Sequence, residues 1–224
     1  EMQRSLVGSE MCIRDRAVLA VKSVLVDLND AAATLPNSYN SVENITPLET
    51  PLSSTINGAA LATPVFLSLY AENDLRLDKY FAETDEKGFR KNKKAGSNNY
   101  LCTFRVGEIY LTAAEAAARL GELSQARTRL LELMRKRYAP EAYEAKSVVV
   151  NAMDKEALVQ EILDERAREL AFEGHRWFDL RRSTRPRLEK VLDGTRYVLE
   201  ENDARYTLAI PCLLYTSPSP RDYA

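Results

Sequence analysis

The sequence predicts a mainly α-helical fold with long loops and a few short strands. Apolar residues recur at helical spacing in residues 106–117, 126–134 and 158–173, and this period is typical of helices with one buried face. Two short extended segments near the C-terminus, residues 197–199 and 206–210, are the predicted strands. Helices therefore supply most of the expected core.

The N-terminal third is predicted to contain a helix, a long loop and a second helix. Residues 17–35 place apolar side chains at helical spacing up to Pro36, which ends the helix. Residues 37–63 are rich in Asn, Ser, Thr and Pro without a sustained period, as in a loop. Pro64 suits the first turn of the next helix, with Thr63 as its N-cap. The expected buried residues of that helix are Val65, Phe66, Leu69 and Tyr70.

The middle of the chain is predicted to alternate between loops and helices. Residues 83–99 are polar and contain two glycines, which indicates a β-hairpin or a surface loop. Residues 139–151 lose the helical period and are predicted to form a loop, with a short extended piece at residues 147–150. The helix between these loops is expected to bury Val106, Ile109, Tyr110, Ala113, Ala114 and Ala117.

A helical hairpin is predicted around Gly121, which ends the first helix, and Ser124, which is the expected N-cap of the second. Small residues at Ala114 and Ala126 suit the close helix crossing of a tetratricopeptide-type hairpin. The sequence shows one such unit, whereas a free-standing array shows several. The unit is either part of a larger helical domain or a consequence of alanine-rich composition.

Residues 158–182 contain the only Trp and the only His. Asp154 is the expected N-cap of the helix, and Gly174 is expected to interrupt it. Seven charged residues from Glu161 to Glu173 alternate in sign, and this pattern alone predicts a solvated face with ion pairs along the helix. The opposite, apolar face is predicted to contain Leu158, Ile162, Leu163, Ala167, Leu170 and Ala171.

The segment ERARELAFEGHRWFDLRR resembles the C-terminal signature of the SusD/RagB family, the glycan-binding outer-membrane lipoproteins of Bacteroidetes. The resemblance continues in RVGEIYLTAAEAAARLGELSQARTRLLELMRKR, in LYAENDLRLDKYF and in YTLAIP, so that it covers residues 65–211. It implies a SusD-like helical scaffold in which tetratricopeptide-type hairpins are embedded, which favours a larger helical domain for the hairpin predicted above.

The resemblance also implies a function. It predicts a surface-exposed, lipid-anchored protein of the outer membrane that captures an oligosaccharide and passes it to a TonB-dependent SusC-like transporter. Glycan contacts in the family come from variable loops that match no motif in this sequence, so no ligand-binding residue is assigned. The alternative is a helical-repeat scaffold that binds a protein partner, and further repeats of the hairpin would favour it.

Both termini are predicted to be translated adapter sequence. Residues 6–15, LVGSEMCIRD, can be encoded by a DNA string whose reverse complement, preceded by a single t, encodes CLLYTSPSPR, residues 212–221. Two unrelated termini would not encode opposite strands of one DNA by chance. We therefore interpret residues 1–15 and 212–224 as adapter sequence and residues 16–211 as a fragment of a single SusD-like helical domain.

Composition argues against a nucleic-acid partner and a membrane span. The 31 basic and 33 acidic residues give a formal net charge of -2, without the basic excess of nucleic-acid-binding proteins. The basic runs at residues 90–94 and 181–187 are short, and we predict that they are solvated. No apolar segment approaches the length of about 18 residues that a membrane helix requires. Without the adapter segments Cys102 is the only cysteine, and we predict a small core residue there.

The sequence contains no motif that favours an enzymatic function. Glu165, Glu169 and Glu173 share one face of a helix, but a di-iron site takes Glu-x-x-His motifs from two helices, and the single His175 does not fit that spacing. The sequence has neither a G-x-S-x-G nucleophile motif nor a glycine-rich phosphate loop. A glycosidase needs only two carboxylates, but nothing singles out a pair. We therefore assign no catalytic residue, no metal ligand and no cofactor.

Trp177 in the signature could have either of two roles, stacking on a sugar or packing in a core. An exposed Trp can stack on a sugar ring, whereas a Trp within a cluster of apolar side chains packs in a core. Because Phe178 and Leu180 lie beside it in the sequence, we predict that Trp177 and Phe178 are core residues. The nearby Arg176 and Asp179 are spaced to form an ion pair.

Overall fold

The computed structural model describes residues 24–38, 40–49, 61–94, 100–192 and 194–207. The chain divides into two compact units, Glu1–His175 and Arg176–Ala224. In the described residues the helices are α1 Pro64–Leu67, α2 Leu75–Tyr80, α3 Val106–Leu120, α4 Leu123–Met134, α5 Pro140–Ala152, α6 Lys155–Glu169 and α7 Arg176–Arg182. The predicted mainly helical fold is confirmed.

The strands are short and form three small antiparallel sheets within the described residues. One sheet pairs β1 with β5, the second has the order β2-β4-β3, and the third pairs β6 with β7. The bounds are β1 Asn44–Glu49, β2 Leu61–Ala62, β3 Phe81–Thr84, β4 Arg90–Asn92, β5 Tyr100–Arg105, β6 Leu188–Leu192 and β7 Thr195–Leu199. The pairing of β3 with β4 confirms the predicted hairpin, while residues 95–99 lie outside the described residues, as does the side chain of Cys102.

The helical hairpin of α3 and α4 is confirmed. Gly121 ends α3 with a φ of 89°, and its N–H is bonded to the carbonyls at the end of that helix, in the left-handed conformation that glycine adopts without strain. Ala114 and Ala126 are fully buried, as the close crossing requires. The prediction for Ser124 was wrong, because α4 begins at Leu123 with Glu122 at its N-cap and no side-chain cap.

Helices α3 to α6 form the larger hydrophobic core. Its fully buried side chains include Leu130, Leu133 and Met134 of α4 together with Leu158 and Ile162 of α6. Burial of an aliphatic side chain contributes about 1.5–3 kcal/mol, so this four-helix cluster is the main source of stability of the first unit.

A second cluster, around α1, is aromatic. Thr63 accepts a hydrogen bond from the N–H of Phe66 at 3.2 Å, which confirms it as the N-cap. Phe66 packs edge-to-face against Tyr70 and Phe81, with ring centroids 5.8 and 6.4 Å apart, a favoured aromatic geometry. The prediction for Val65 was wrong, since 81% of it is exposed. The helix is four residues long, too short to bury a complete stripe.

The helix predicted over residues 17–35 is absent from residues 24–35, the part that the structure describes. Asp27 and Asp30 there accept bonds from the N–H groups two residues ahead, which stabilises turns in place of a helix. The N–H of Leu28 donates to the carbonyl of Lys136 at 2.9 Å. Leu25 and Leu28 are thus buried by a turned segment that crosses the end of α4, while Val24 is 65% exposed.

The loop predicted over residues 139–151 was also wrong, because Pro140–Ala152 is the helix α5. Pro140 occupies the first turn, where it costs no backbone hydrogen bond. Val150 is the one residue of this helix that is fully buried, while Val148 and Val149 are exposed. A helix with so narrow a buried face shows little of the period that the prediction relied on.

The second unit contains α7, the β6–β7 hairpin and a 3-10 turn at Ala204–Tyr206. The strand predicted at residues 197–199 is confirmed within β7, whereas Tyr206 belongs to the 3-10 turn and residues 208–210 lie outside the described residues. Trp177 stacks on Tyr206 with ring centroids 5.2 Å apart and is half-buried. Phe178 is 61% exposed, so its prediction as a core residue was wrong; the preceding Trp177 occupies the packed side of this short helix.

Candidate functional site

The signature helix α6 has the N-cap and the apolar face that were predicted, whereas its C-cap is Leu170 and not Gly174. Asp154 accepts a hydrogen bond from the N–H of Ala157 at 2.9 Å. The helix ends at Glu169, and Gly174 adopts a φ of 85° in the turn that follows. All six predicted apolar residues are buried, namely Leu158, Ile162, Leu163, Ala167, Leu170 and Ala171.

The charged side of the same segment is not solvated, so that prediction was wrong. Glu165 and Glu169 are completely buried, Arg168 is 4% exposed, and the side chain of Glu173 is 3% exposed. A buried charge is costly unless it is paired and hydrogen-bonded. The partners of these side chains come mostly from distant parts of the chain, which a local charge pattern does not reveal.

Glu169 is the centre of this arrangement. Its Oε1 accepts hydrogen bonds from Arg105 at 2.6 Å and from Arg137 at 3.1 Å. Its Oε2 accepts from Arg76 at 3.1 Å and from Arg137 at 3.0 Å. One carboxylate therefore binds three guanidinium groups, each of which carries further carboxylate contacts.

The neighbouring carboxylates complete the pairing. Glu165 accepts from Arg76 at 2.7 Å and from Arg168 at 2.8 Å. Glu173 accepts from two nitrogens of Arg105, both at 2.9 Å, and it also pairs with Lys94. These contacts join the end of α6 to α2, to the end of β4 and to the residue that precedes α3.

Lys94 corrects the prediction that the basic run at residues 90–94 is solvated. Its side chain is 1% exposed, and its ammonium donates to the carbonyl oxygens of Glu169 at 2.6 Å and Ala171 at 3.2 Å. Carbonyls at the end of a helix lack intrahelical partners. Lys94 therefore caps α6 at the end where the helix dipole favours a cation.

Glu43 and Arg137 connect these ion pairs to the N-terminal segment around Val26. Glu43 accepts from Arg105 at 3.1 Å and from Arg137 at 2.5 Å, and its Oε1 also accepts from the N–H of Val26 at 2.8 Å. Arg137 in turn donates to the carbonyl of Val26 at 2.5 Å. We call the connected charged residues whose side chains are at most 5% exposed the buried ion network; it comprises Arg76, Lys94, Arg105, Arg137 and Arg168 with Glu43, Asp74, Glu165, Glu169 and Glu173, five cations and five anions.

Gly107, in the first turn of α3, allows the network to approach the backbone. A Cβ at this position would lie 2.5 Å from Nη1 of Arg105, 3.1 Å from Oε1 of Glu169 and 3.4 Å from Oε2 of Glu43. The first distance is shorter than any van der Waals contact. The sequence alone shows a glycine where alanine is the better helix former; the structure shows that the charged atoms require its small size.

Electrostatics keep Glu165 and Glu169 ionised. Burial acts to raise the pKa of Glu165, but the charges of Arg76 and Arg168 outweigh it and lower that pKa to about 2. Burial likewise acts against ionisation of Glu169, whose pKa is held well below its ordinary value by Arg137 and Arg105. A carboxylate in this state is a poor general acid, and its lone pairs are already used.

The three signature glutamates therefore provide structural ion pairs. Among the described residues, no group of three His, Cys, Asp or Glu side chains is arranged to hold a metal ion. His175 lies with its Nδ1 3.8 Å from Oε1 of Glu108, at the edge of ion-pair distance. The geometry brings Glu165, Glu169 and Glu173 together, as predicted from their spacing, but around arginines.

A cleft of about 720 Å³ lies beside the corner between α4 and α5, within the range of about 300–1,000 Å³ typical of small-ligand sites. Tyr110 of α3 and Tyr143 of α5 supply aromatic surface to it. Tyr110 is half-buried, which corrects its predicted place in the buried stripe of α3. The other lining residues in the described part of the chain are Val24, Leu25, Asp27, Asn29, Glu132, Arg135, Lys136, Pro140 and Glu144.

Comparison with known proteins places this architecture in a family. The model of the SusD family matches residues 60–208, two thirds of the chain. The chain belongs to the SusD family. None of the curated proteins matches the chain. The family match contains nine of the ten members of the buried ion network, all except Glu43.

Two solved structures show the SusD-like fold. A SusD-like carbohydrate binding protein from Bacteroides vulgatus ATCC 8482 aligns with a TM-score of 0.57 and 17% identity, over 88% of this chain and 48% of that protein. A SusD superfamily protein from Bacteroides thetaiotaomicron VPI-5482 aligns with a TM-score of 0.55 and 20% identity, over 77% of this chain and 44% of that protein. The chain thus spans about half the length of these SusD-like proteins.

Sequence reasoning located the SusD signature but missed most of its partners. Arg76, Arg105 and Arg137 are fully buried, or nearly so, yet each stands in a segment without any pattern that distinguishes it from a surface arginine. The one available signal was Gly107 beside Arg105 at the start of a helix.

No helix in the described residues meets the length and apolarity that a membrane crossing demands.

Proposed function

We propose that this chain is part of a non-catalytic, glycan-binding SusD-family lipoprotein. In this proposal the protein lies on the outer surface of the outer membrane, held by a lipid anchor, and passes an oligosaccharide to a TonB-dependent SusC-like transporter. The observation that carries the proposal is the match of the family model to residues 60–208. The SusD-like carbohydrate binding protein that shares this fold supports the ligand class.

The electrostatics support a role without catalysis. Glycoside hydrolysis needs a carboxylic acid that is protonated near neutral pH and a second carboxylate across the scissile bond. The signature carboxylates have lowered pKa values and are held by arginines, as Glu165 and Glu169 illustrate. These groups are suited to fixing the fold, so we assign to the protein capture of the glycan and no turnover.

Calorimetric titration of the purified chain tests the proposal. The ligands are maltohexaose, cellohexaose, xylohexaose and mannohexaose, and the same mixtures are then assayed for new reducing ends. We expect saturable binding of at least one hexasaccharide without time-dependent release of reducing ends. Binding of none would refute glycan capture, and release in proportion to the amount of protein would refute the non-catalytic role.

The cellular part of the proposal has its own test. The protein expressed from its natural gene is expected to incorporate radiolabelled palmitate, to be cleaved by protease added to whole cells, and to co-purify with a TonB-dependent transporter. A protein that fractionates without lipid label and resists external protease would contradict the anchored, surface-exposed location.

A further inference from the structure

We propose that the cleft at the corner of α4 and α5 is a binding site for a neutral oligosaccharide, with Tyr110 and Tyr143 as the aromatic surfaces. This proposal rests on the proposed glycan-binding function and assigns a site to it. It is carried by three features of the cleft: its aromatic surface, its fixed polar groups and its nearly balanced charge.

The two tyrosines match the apolar faces of a sugar ring. Pyranose rings present C–H groups on their faces, and an aromatic side chain buries such a face while its hydroxyl stays available for hydrogen bonds. Tyr110 and Tyr143 are both half-buried and come from different helices, α3 and α5. The guanidinium of Arg129 lies 5.8 Å from the ring centroid of Tyr110, which helps to hold this ring in place.

Polar groups in the cleft are fixed before any ligand binds. Asn29 donates from Nδ2 to Oδ1 of Asp27 at 3.0 Å and to the carbonyl of Tyr138 at 3.3 Å. Asp27 is also paired with Lys136 at 2.8 Å. The Oδ1 of Asn29 remains as an acceptor for a sugar hydroxyl. Preorganised groups lose little conformational entropy on binding, which favours affinity.

The segment that carries these groups is anchored to the buried ion network. Val26 is bonded through its N–H to Glu43 and through its carbonyl to Arg137. Two residues further, the N–H of Leu28 donates to the carbonyl of Lys136 at 2.9 Å. Asp27 is therefore held between two anchored residues, and Asn29 directly follows the second of them.

Charge selects among ligands of similar shape. Among the described residues, the lining contains the acidic residues Asp27, Glu132 and Glu144 and the basic residues Arg135 and Lys136, three against two. Lys136 is already paired, and Arg135 has no ion-pair partner in the described part of the chain, so one cation is available to donate to hydroxyl groups. An anionic sugar would meet a slight excess of negative charge. A neutral oligosaccharide is the ligand class that fits.

The test compares binding by matched variants of the full chain. Tyr143→Ala removes an aromatic surface of the cleft, and Tyr197→Ala removes an exposed tyrosine from β7 in the other unit. For the hexasaccharide that the wild-type protein binds best, we expect Tyr143→Ala to weaken affinity at least about tenfold, as for an anchor side chain. Tyr197→Ala is expected to bind as the wild type does, and oligogalacturonate is expected to bind more weakly than the neutral hexamers.

A second variant guards against misfolding, because Tyr143 also packs against the helical core. Arg135→Ala changes an exposed side chain and is expected to weaken binding about threefold with an unchanged melting temperature. Wild-type affinity in both cleft variants would refute the site while leaving the proposed function intact. A wild-type protein that binds none of the four hexasaccharides would refute the function and the site together.

Discussion

Replacement of Glu169 by Gln is expected to remove a large part of the stability of the first unit. The change deletes one negative charge from five buried cations and five buried anions, and it leaves a net positive charge. In either orientation the new amide N–H2 faces Arg137, because Arg137 contacts both carboxylate oxygens. It also faces either Arg105 or Arg76. Breaking a buried, hydrogen-bonded charge pair costs about 3–5 kcal/mol.

That cost is a substantial fraction of the ~5–15 kcal/mol that stabilises a typical domain. The measurement is urea denaturation followed by far-UV circular dichroism, and the quantity compared is the free energy of unfolding. Glu156→Gln is the matched control, since it makes the same change at an exposed position in the first turn of the same helix. We expect the control to change the free energy little.

A double variant separates loss of charge balance from loss of packing. Glu169→Gln combined with Arg137→Met removes a cation together with the anion, so the loss should be smaller than the sum of the two single losses by roughly 0.5–3 kcal/mol. The reasoning would be refuted if Glu169→Gln had the same free energy of unfolding as Glu156→Gln, because the buried ion network would then not contribute to stability.

Three further predictions follow from the same geometry. Gly107→Ala should destabilise by about 1–3 kcal/mol in urea denaturation despite the better helix propensity of alanine, and a stabilised variant would contradict the 2.5 Å approach to Arg105. Because the pKa of Glu165 is lowered from 4.5 to about 2, its contribution of about 3 kcal/mol is present above pH 4.5 and is lost as the pH falls toward 2; a free energy of unfolding that is constant from pH 5 to pH 2.5 would exclude it. Trp177→Ala should lower the melting temperature through loss of the stacked ring, whereas Phe178→Ser should not, and equal effects would show that both rings are packed.

The sequence predicted those parts of the fold that depend on local signals. The helices α3, α4 and α6 bury wide apolar faces, so their period is visible in the sequence. The caps at Thr63 and Asp154 and the left-handed Gly121 are decided by residues within one turn of themselves. Local chemistry is sufficient for each of these features.

The errors arose where distant contacts decide the structure. Helix α5 buries only Val150 completely, so its β-branched run resembled an extended piece. The charged face of α6 was assigned to solvent because alternating signs along a helix are typical of surface pairs. Glu169 and Arg76 are 93 positions apart, and no local pattern shows whether the partner of a glutamate is water or an arginine from another element.

The buried ion network favours precise placement over maximal stability. Buried ion pairs are often no more stabilising than apolar packing of the same volume, so burial energy alone does not account for ten charged side chains at one place. An apolar contact tolerates small shifts, whereas a hydrogen-bonded guanidinium fixes distance and direction. Arg137 applies this constraint to Glu169 in the signature helix and to the carbonyl of Val26 beside the cleft. The same side chain therefore connects the signature helix α6 with the wall on which the glycan is proposed to bind, and a loosened network should weaken binding before it unfolds the chain.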